Sequence, residues 1–213
     1  MSYSTGAGSV VQIATALATA KNITAISNAA EAVATFEASH GLTPGDWIKV
    51  SSGWGSLDGR VVRVKAVSTN DVTLEGVNTA DTTLYPAGSG LGSAQKITTW
   101  TEIQHVKADS FQTTGGEQQF TDASPLSSYT DRQIPTTRTA YNIGFDVMDT
   151  SAGLTSARSA GATSTAFRIS KGSNVTAGAG IFSVSEIPSI SGREVTTFGV
   201  SIALQATPIT YFS

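Results

Sequence analysis

Apolar and polar residues alternate along most of this chain with a period of two. Residues 193–206, REVTTFGVSIALQA, show it best. Thr196, Phe198, Val200, Ile202 and Leu204 fall on one face, and Val195, Thr197, Gly199, Ser201, Ala203 and Gln205 on the other. That is the pattern of a strand with one buried side. Tyr141, Ile143, Phe145 and Val147 repeat it, with Asn142, Gly144, Asp146 and Met148 turned away. Short β-branched runs at 21–28, 32–38, 46–52, 60–68 and 71–77 are separated by turn clusters such as HGLTPGD. Five such runs in under 60 residues predict a small barrel or sandwich. Further strands are predicted within 96–106, 165–170 and 180–188. One helix is predicted, at about 151–161, with Asp149, Thr150 or Ser151 as N-cap and Gly161 as its stop. It is short, so it needs tertiary packing to persist.

One stretch breaks the pattern. Residues 114–136, TGGEQQFTDASPLSSYTDRQIPT, carry only spaced apolar residues and two prolines. Structureless segments of that length are uncommon in compact domains and are usually functional or disordered.

Composition narrows the function. Charged residues make up 14% of the chain, against roughly 25% in an ordinary soluble domain. Such a neutral surface favours association. The net charge is −3 with no basic block, which argues against a grip on nucleic acid. Cysteine is absent, so disulfides and thiolate chemistry are excluded. The apolar run at 10–20 has no basic region before it and reads poorly as a signal peptide. His40 and His105 lie far apart, no nucleophile elbow occurs, and the glycine pairs complete no phosphate cradle. No catalytic residue, metal or cofactor is expected. Trp47 and Trp100 read as strand residues in small cores. Trp54, between Gly53 and Gly55, is the best candidate for an exposed aromatic.

The stretches TTWTEIQHV, TTGGEQQFTDASPLSSYTDRQIPTTRTAYNIGFDVMD and VTTFGVSIALQATPITYFS resemble the tail tube protein of long-tailed, non-contractile bacteriophages, as does the opening GSVVQIATALATAKNITAISNA. Residues 21–95 are similar to a small β-barrel module found in ubiquitin-activating enzymes. The resemblance implies no ubiquitin chemistry, because the thioester cysteine is missing.

The resemblance implies a mainly β fold: a sandwich or barrel of two packed sheets with one short flanking helix, plus the small inserted barrel. Residues 1–20 would hold the first strand, 21–95 the outward-facing module, and 96–213 the tube core. It also implies hexameric rings stacked into a hollow tube, assembled in the bacterial cytoplasm and carried in the virion. Its partners would be further copies, a tape measure protein, a tail terminator and tail-tip proteins, with DNA passing through unheld. Residues 112–137 would form an arm or hairpin docking on a neighbour. Phe120, Leu126, Tyr129 and Ile134 would anchor it, and Arg132 and Arg138 would pair with acids such as Glu117 or Asp122. Glu102, Asp109, Asp146 and Glu194 are the acidic candidates for a channel wall that repels phosphate. Trp54 and the loops at 53–59 and 79–92 are the candidates for outer contact.

The residues alone leave other readings open. One is a carbohydrate-binding or adhesin-like module using Trp54. Another is a tube or tail-completion protein of a contractile system. A third is a glycan hydrolase using a carboxylate pair, although no pair is nominated.

Overall fold

The computed structural model describes residues 8–126, 129–159, 164–190 and 192–212. The strands in chain order begin with β1 (Val10–Leu17), β2 (Lys21–Ile26), β3 (Val33–Phe36), β4 (Trp47–Ser52), β5 (Val61–Ser68), β6 (Asp71–Leu74) and β7 (Gly92–Glu102). Then come β8 (Gln112–Thr114), β9 (Gln118–Asp122), β10 (Gln133–Arg138) and β11 (Asn142–Met148), followed by helix α1 (Ser151–Arg158). The last are β12 (Ser164–Lys171), β13 (Asn174–Val184), β14 (Thr197–Leu204) and β15 (Ile209–Tyr211). Among the described residues the fold is therefore mainly β with one short helix, as the sequence predicts.

Strands β2-β3-β6-β5-β4-β7 close into a barrel, because β7 pairs with β2 as well as β4. Closure leaves these short strands no free edge. Alternation fills the interior: Ile48 and Val50 from β4, Val62 and Val64 from β5, Val72 and Leu74 from β6 are all buried. Gly92 lets β7 approach β4, since a Cβ there would lie 2.0 Å from the Ser51 carbonyl oxygen.

The long strand β7 serves two sheets. Its first half completes the barrel, and its second half pairs with β1, with Trp100 opposite Ala14. From β1 the larger sheet runs through β12, β13, β14 and β11 to β8. One face of it is apolar and buried: Ile13, Phe167, Phe182, Ile202, Phe145 and Val147 pack together. This confirms the inward set Ile143, Phe145, Val147 on β11 and Phe198, Val200, Ile202 on β14. Tyr141 departs from it. It lies just outside β11 and is 36% exposed.

Helix α1 contributes buried Ala157 to the same core. Thr150 is its N-cap, accepting the Gly153 amide proton on its hydroxyl at 3.0 Å. A side chain at Gly153 would meet Val147 at 2.7 Å, so glycine permits the close docking of so short a helix. The expected stop at Gly161 lies outside the described residues.

A third core joins barrel to sheet. Trp47 and Val61 face outward from the barrel onto Ala166, Ala177, Ala179 and Tyr211. The alternation of 60–67 suggests one wet face, but the structure covers part of it. The Arg63 guanidinium lies over the Tyr211 ring (4.7 Å) and grips Glu75 at 2.5 and 2.6 Å. The Tyr211 hydroxyl accepts from the Arg63 amide (3.0 Å) and donates to the Glu75 carbonyl (3.3 Å).

Candidate assembly surfaces

Within the irregular stretch at 114–136 the described residues include two paired strands, so that it reads as a hairpin. Strands β9 and β10 form a separate two-stranded sheet, pairing Gln133 with Asp122, Ile134 with Thr121 and Pro135 with Phe120. At its base Gly115 and Gly116 take φ of 91° and 77°, the left-handed region that favours glycine. The Gly116 amide donates to Thr139 (3.1 Å) and the Thr139 amide to Glu117 (3.0 Å). Near the tip, Asp122 accepts from the Ser124 hydroxyl (2.6 Å) and amide (2.9 Å), which lower its carboxyl pKa. The Ala123 amide donates to Arg132. A lone hairpin is marginal in water. This one nonetheless displays Phe120 and Ile134 at 56% exposure, and Leu126 and Tyr129 fully. Within the chain, Arg138 donates to Gln118 at 3.5 Å rather than to an acid.

The second surface is the face of the large sheet opposite its core. Gly144 and Asp146 of β11, Gly199 and Ser201 of β14 and Ser183 of β13 line an open depression of about 680 Å³, together with the 107–110 loop. Asp109 and Asp146 meet here. The loop is pinned to β11: the Lys107 amide donates to the Asp146 carbonyl (2.8 Å), and the Asp146 amide to the Ser110 hydroxyl (2.9 Å). Glu194 joins through Lys107, whose ammonium lies 2.9 Å away. Glu194, and more weakly Asp146, raise the Lys107 pKa. The wall is thus acidic but partly neutralised by a lysine that the sequence pattern did not single out. Glu102 is not part of this group. It ends β7 opposite Gln12, in a region where Gln12 accepts from Arg168 (2.6 Å) and Arg168 lies over Trp100 (4.6 Å). Burial lowers the Arg168 pKa.

The exposure expected of Trp54 is overturned. Trp54 is 2% exposed and sits in the barrel core. Its indole N–H donates to the Pro86 carbonyl at 2.8 Å, and Tyr85 meets its ring edge-on at 5.2 Å. Gly90 passes so close that a Cβ would lie 2.9 Å from three ring atoms. Flanking glycines suggested exposure, but residues 85–90 fold back over the ring. The large apolar residues exposed in those loops are Leu84 and Leu91. Trp47 and Trp100 do sit on strands, β4 and β7.

His40 is structural: its Nδ1 accepts from the Leu42 amide (3.1 Å) while Nε2 bonds the Thr69 carbonyl (3.0 Å). Among the described residues no group of three or more His, Cys, Asp or Glu could hold a metal.

A mainly β chain that presents a strand pair bearing exposed apolar side chains, and a face of small polar ones, has the features of an associating structural subunit. The family model for the phage tail tube protein matches residues 52–213, and the chain belongs to that family. The match begins at the last residue of β4 and so takes in half of the barrel. No curated protein matches. The family is structural rather than enzymatic, forms the tail tube, and makes this chain a virion component.

Proposed function

We propose that copies of this chain close into hexameric rings, and that the rings stack into the conduit through which DNA is ejected into the host. The hairpin is the observation that carries this. A two-stranded element with four exposed large apolar side chains gains its stability from a partner surface, and the partner is the next copy. Arg132 and Arg138 pair with acids of that neighbour. The small polar face with Asp109 and Asp146 lines the channel, where scarce cations leave DNA little to hold. The barrel, with seven acidic and six basic residues between Lys21 and Lys96, projects outward as a nearly neutral ornament or brace. A tape measure protein, tail terminator and tail-tip proteins complete the tail, and synthesis takes place in the host cytoplasm. The adhesin-like alternative has lost its contact residue, since Trp54 is core.

The test is to excise the hairpin. The backbones of Gly116 and Thr139 are already hydrogen-bonded, so a two-residue turn can join them in place of 117–138. The expected product is a folded monomer that gives no hollow rods in negative-stain electron microscopy at concentrations where the intact chain does. Normal rods from the shortened chain would refute the role of the hairpin.

A further inference from the structure

The connection between β13 and β14 exposes Ile187 and Ile190 at 79% and Val195 at 60%. Its two ends are tethered. Ser189 and Thr197 exchange backbone hydrogen bonds at 2.7 and 3.3 Å, and the Asp149 amide donates to Thr196 at 2.9 Å. The Ser185 hydroxyl donates to the Ile187 carbonyl at 2.7 Å, and Arg158 pairs with Glu186 at 2.8 Å. Three aliphatic side chains exposed on one short connection with tethered ends offer apolar surface, the knob, for a partner to cover.

At the other end of the same strands lies an apolar groove of about 490 Å³. Phe111, Tyr141, Ile143, Ile169, Leu204 and Pro208 give it its character, and Thr207 stands on its wall. Phe111 and Tyr141 are 41% and 36% exposed. The groove takes in Thr176 near the start of β13, whereas the knob follows the end of β13. At about 3.3 Å per residue the two lie about 30 Å apart, so one chain cannot fill its own groove.

We infer that the knob of one copy seats in the groove of the next, giving a head-to-tail contact between identical chains. This rests on the self-assembling reading above and adds a second contact, separate from the hairpin. A knob and a socket at opposite ends of one body form a heterologous interface, which closes into a ring or runs on as a filament. Three aliphatic side chains cover only part of the roughly 800 Å² that each partner of a stable pair buries. A single contact is therefore weak, and it holds once ring closure and the hairpin make every further contact intramolecular.

The chain has no cysteine, which permits a clean test. Ile187→Cys and Thr207→Cys, both at exposed positions, are made singly and together in the full-length chain and treated with a short bis-maleimide. The double variant is expected to give a ladder of covalent multimers. Each single variant stays monomeric on denaturing gels, because like ends never meet. Microscopy on the same samples separates the two ideas. Rods without a ladder, or dimers from Ile187→Cys alone, overturn the knob-and-groove contact and leave the tube reading standing. A ladder without rods supports the contact and overturns the tube. Neither rods nor ladder at any concentration overturns both.

Discussion

Replacing Tyr211 by phenylalanine removes one oxygen from the seam between barrel and sheet. The residue is 4% exposed, and its hydroxyl bonds the Arg63 amide at 3.0 Å and the Glu75 carbonyl at 3.3 Å. The ring contacts survive: Trp47 still meets it edge-on at 5.3 Å, and Arg63 still lies over it. A buried polar group left without a partner costs about 1–3 kcal/mol. The 3.3 Å bond is long, so the two losses together come to about 1–2 kcal/mol. For a chain of this size that lowers Tm by about 2–8 °C.

A pH signature accompanies it. Burial first, and the nearby Glu75 charge next, push the Tyr211 phenol from 10.0 up to about 12. A folded pKa above the unfolded one contributes stability that is complete below pH 10 and is lost as pH rises from 10.0 through about 12. The Tm difference between wild type and Tyr211→Phe should therefore narrow across that window. Scanning calorimetry of both proteins at neutral pH and across the alkaline range measures it. Equal Tm values at neutral pH, or a difference that ignores pH, would show that the hydroxyl does not hold the seam.

Three further outcomes are expected. Gly92→Ala forces a Cβ to within 2.0 Å of the Ser51 carbonyl and should cost about 1–3 kcal/mol in urea unfolding. Gly144→Ala, with open space at its Cβ, should stay within about 0.5 kcal/mol of wild type, and equal midpoints for the pair would contradict the close β4–β7 approach. On the acid side, Arg63 holds the Glu75 carboxyl below its ordinary 4.5. Burial acts to raise Asp46, but Lys96 and Thr43 outweigh it and set the carboxyl below 3.8. Both folded pKa values are depressed, so their stabilisation is complete above those ordinary values and fades as pH falls through the folded ones. Glu75→Gln should lower stability at neutral pH and flatten the acid limb of a Tm-against-pH profile, and an unchanged acid limb would refute the assignment.

The period-two pattern determined much of this protein without help. On β11 and β14 it identified the buried faces, because a half-buried strand must alternate. The low charge and the lack of a nucleophile elbow, a cysteine or a histidine pair directed attention to association rather than chemistry. In the residue pattern the hairpin was only an irregular stretch, and the family resemblance alone suggested an arm or hairpin there. Its two strands are exposed on nearly every residue, so no burial pattern marks them. Tertiary structure decided the rest. Trp54 is covered by Tyr85, Pro86 and Gly90, more than thirty positions away, and local glycines cannot report such a contact. Lys107 reaches Glu194 across 87 positions, which tempers an acidic face that the carboxylates alone would overstate. Ile187, Ile190 and Val195 carry no mark in sequence that sets them apart from other aliphatics. Only the fold, by pinning their loop at one end of β13 and leaving an apolar groove at the other, turns them into surface that a neighbouring copy can cover.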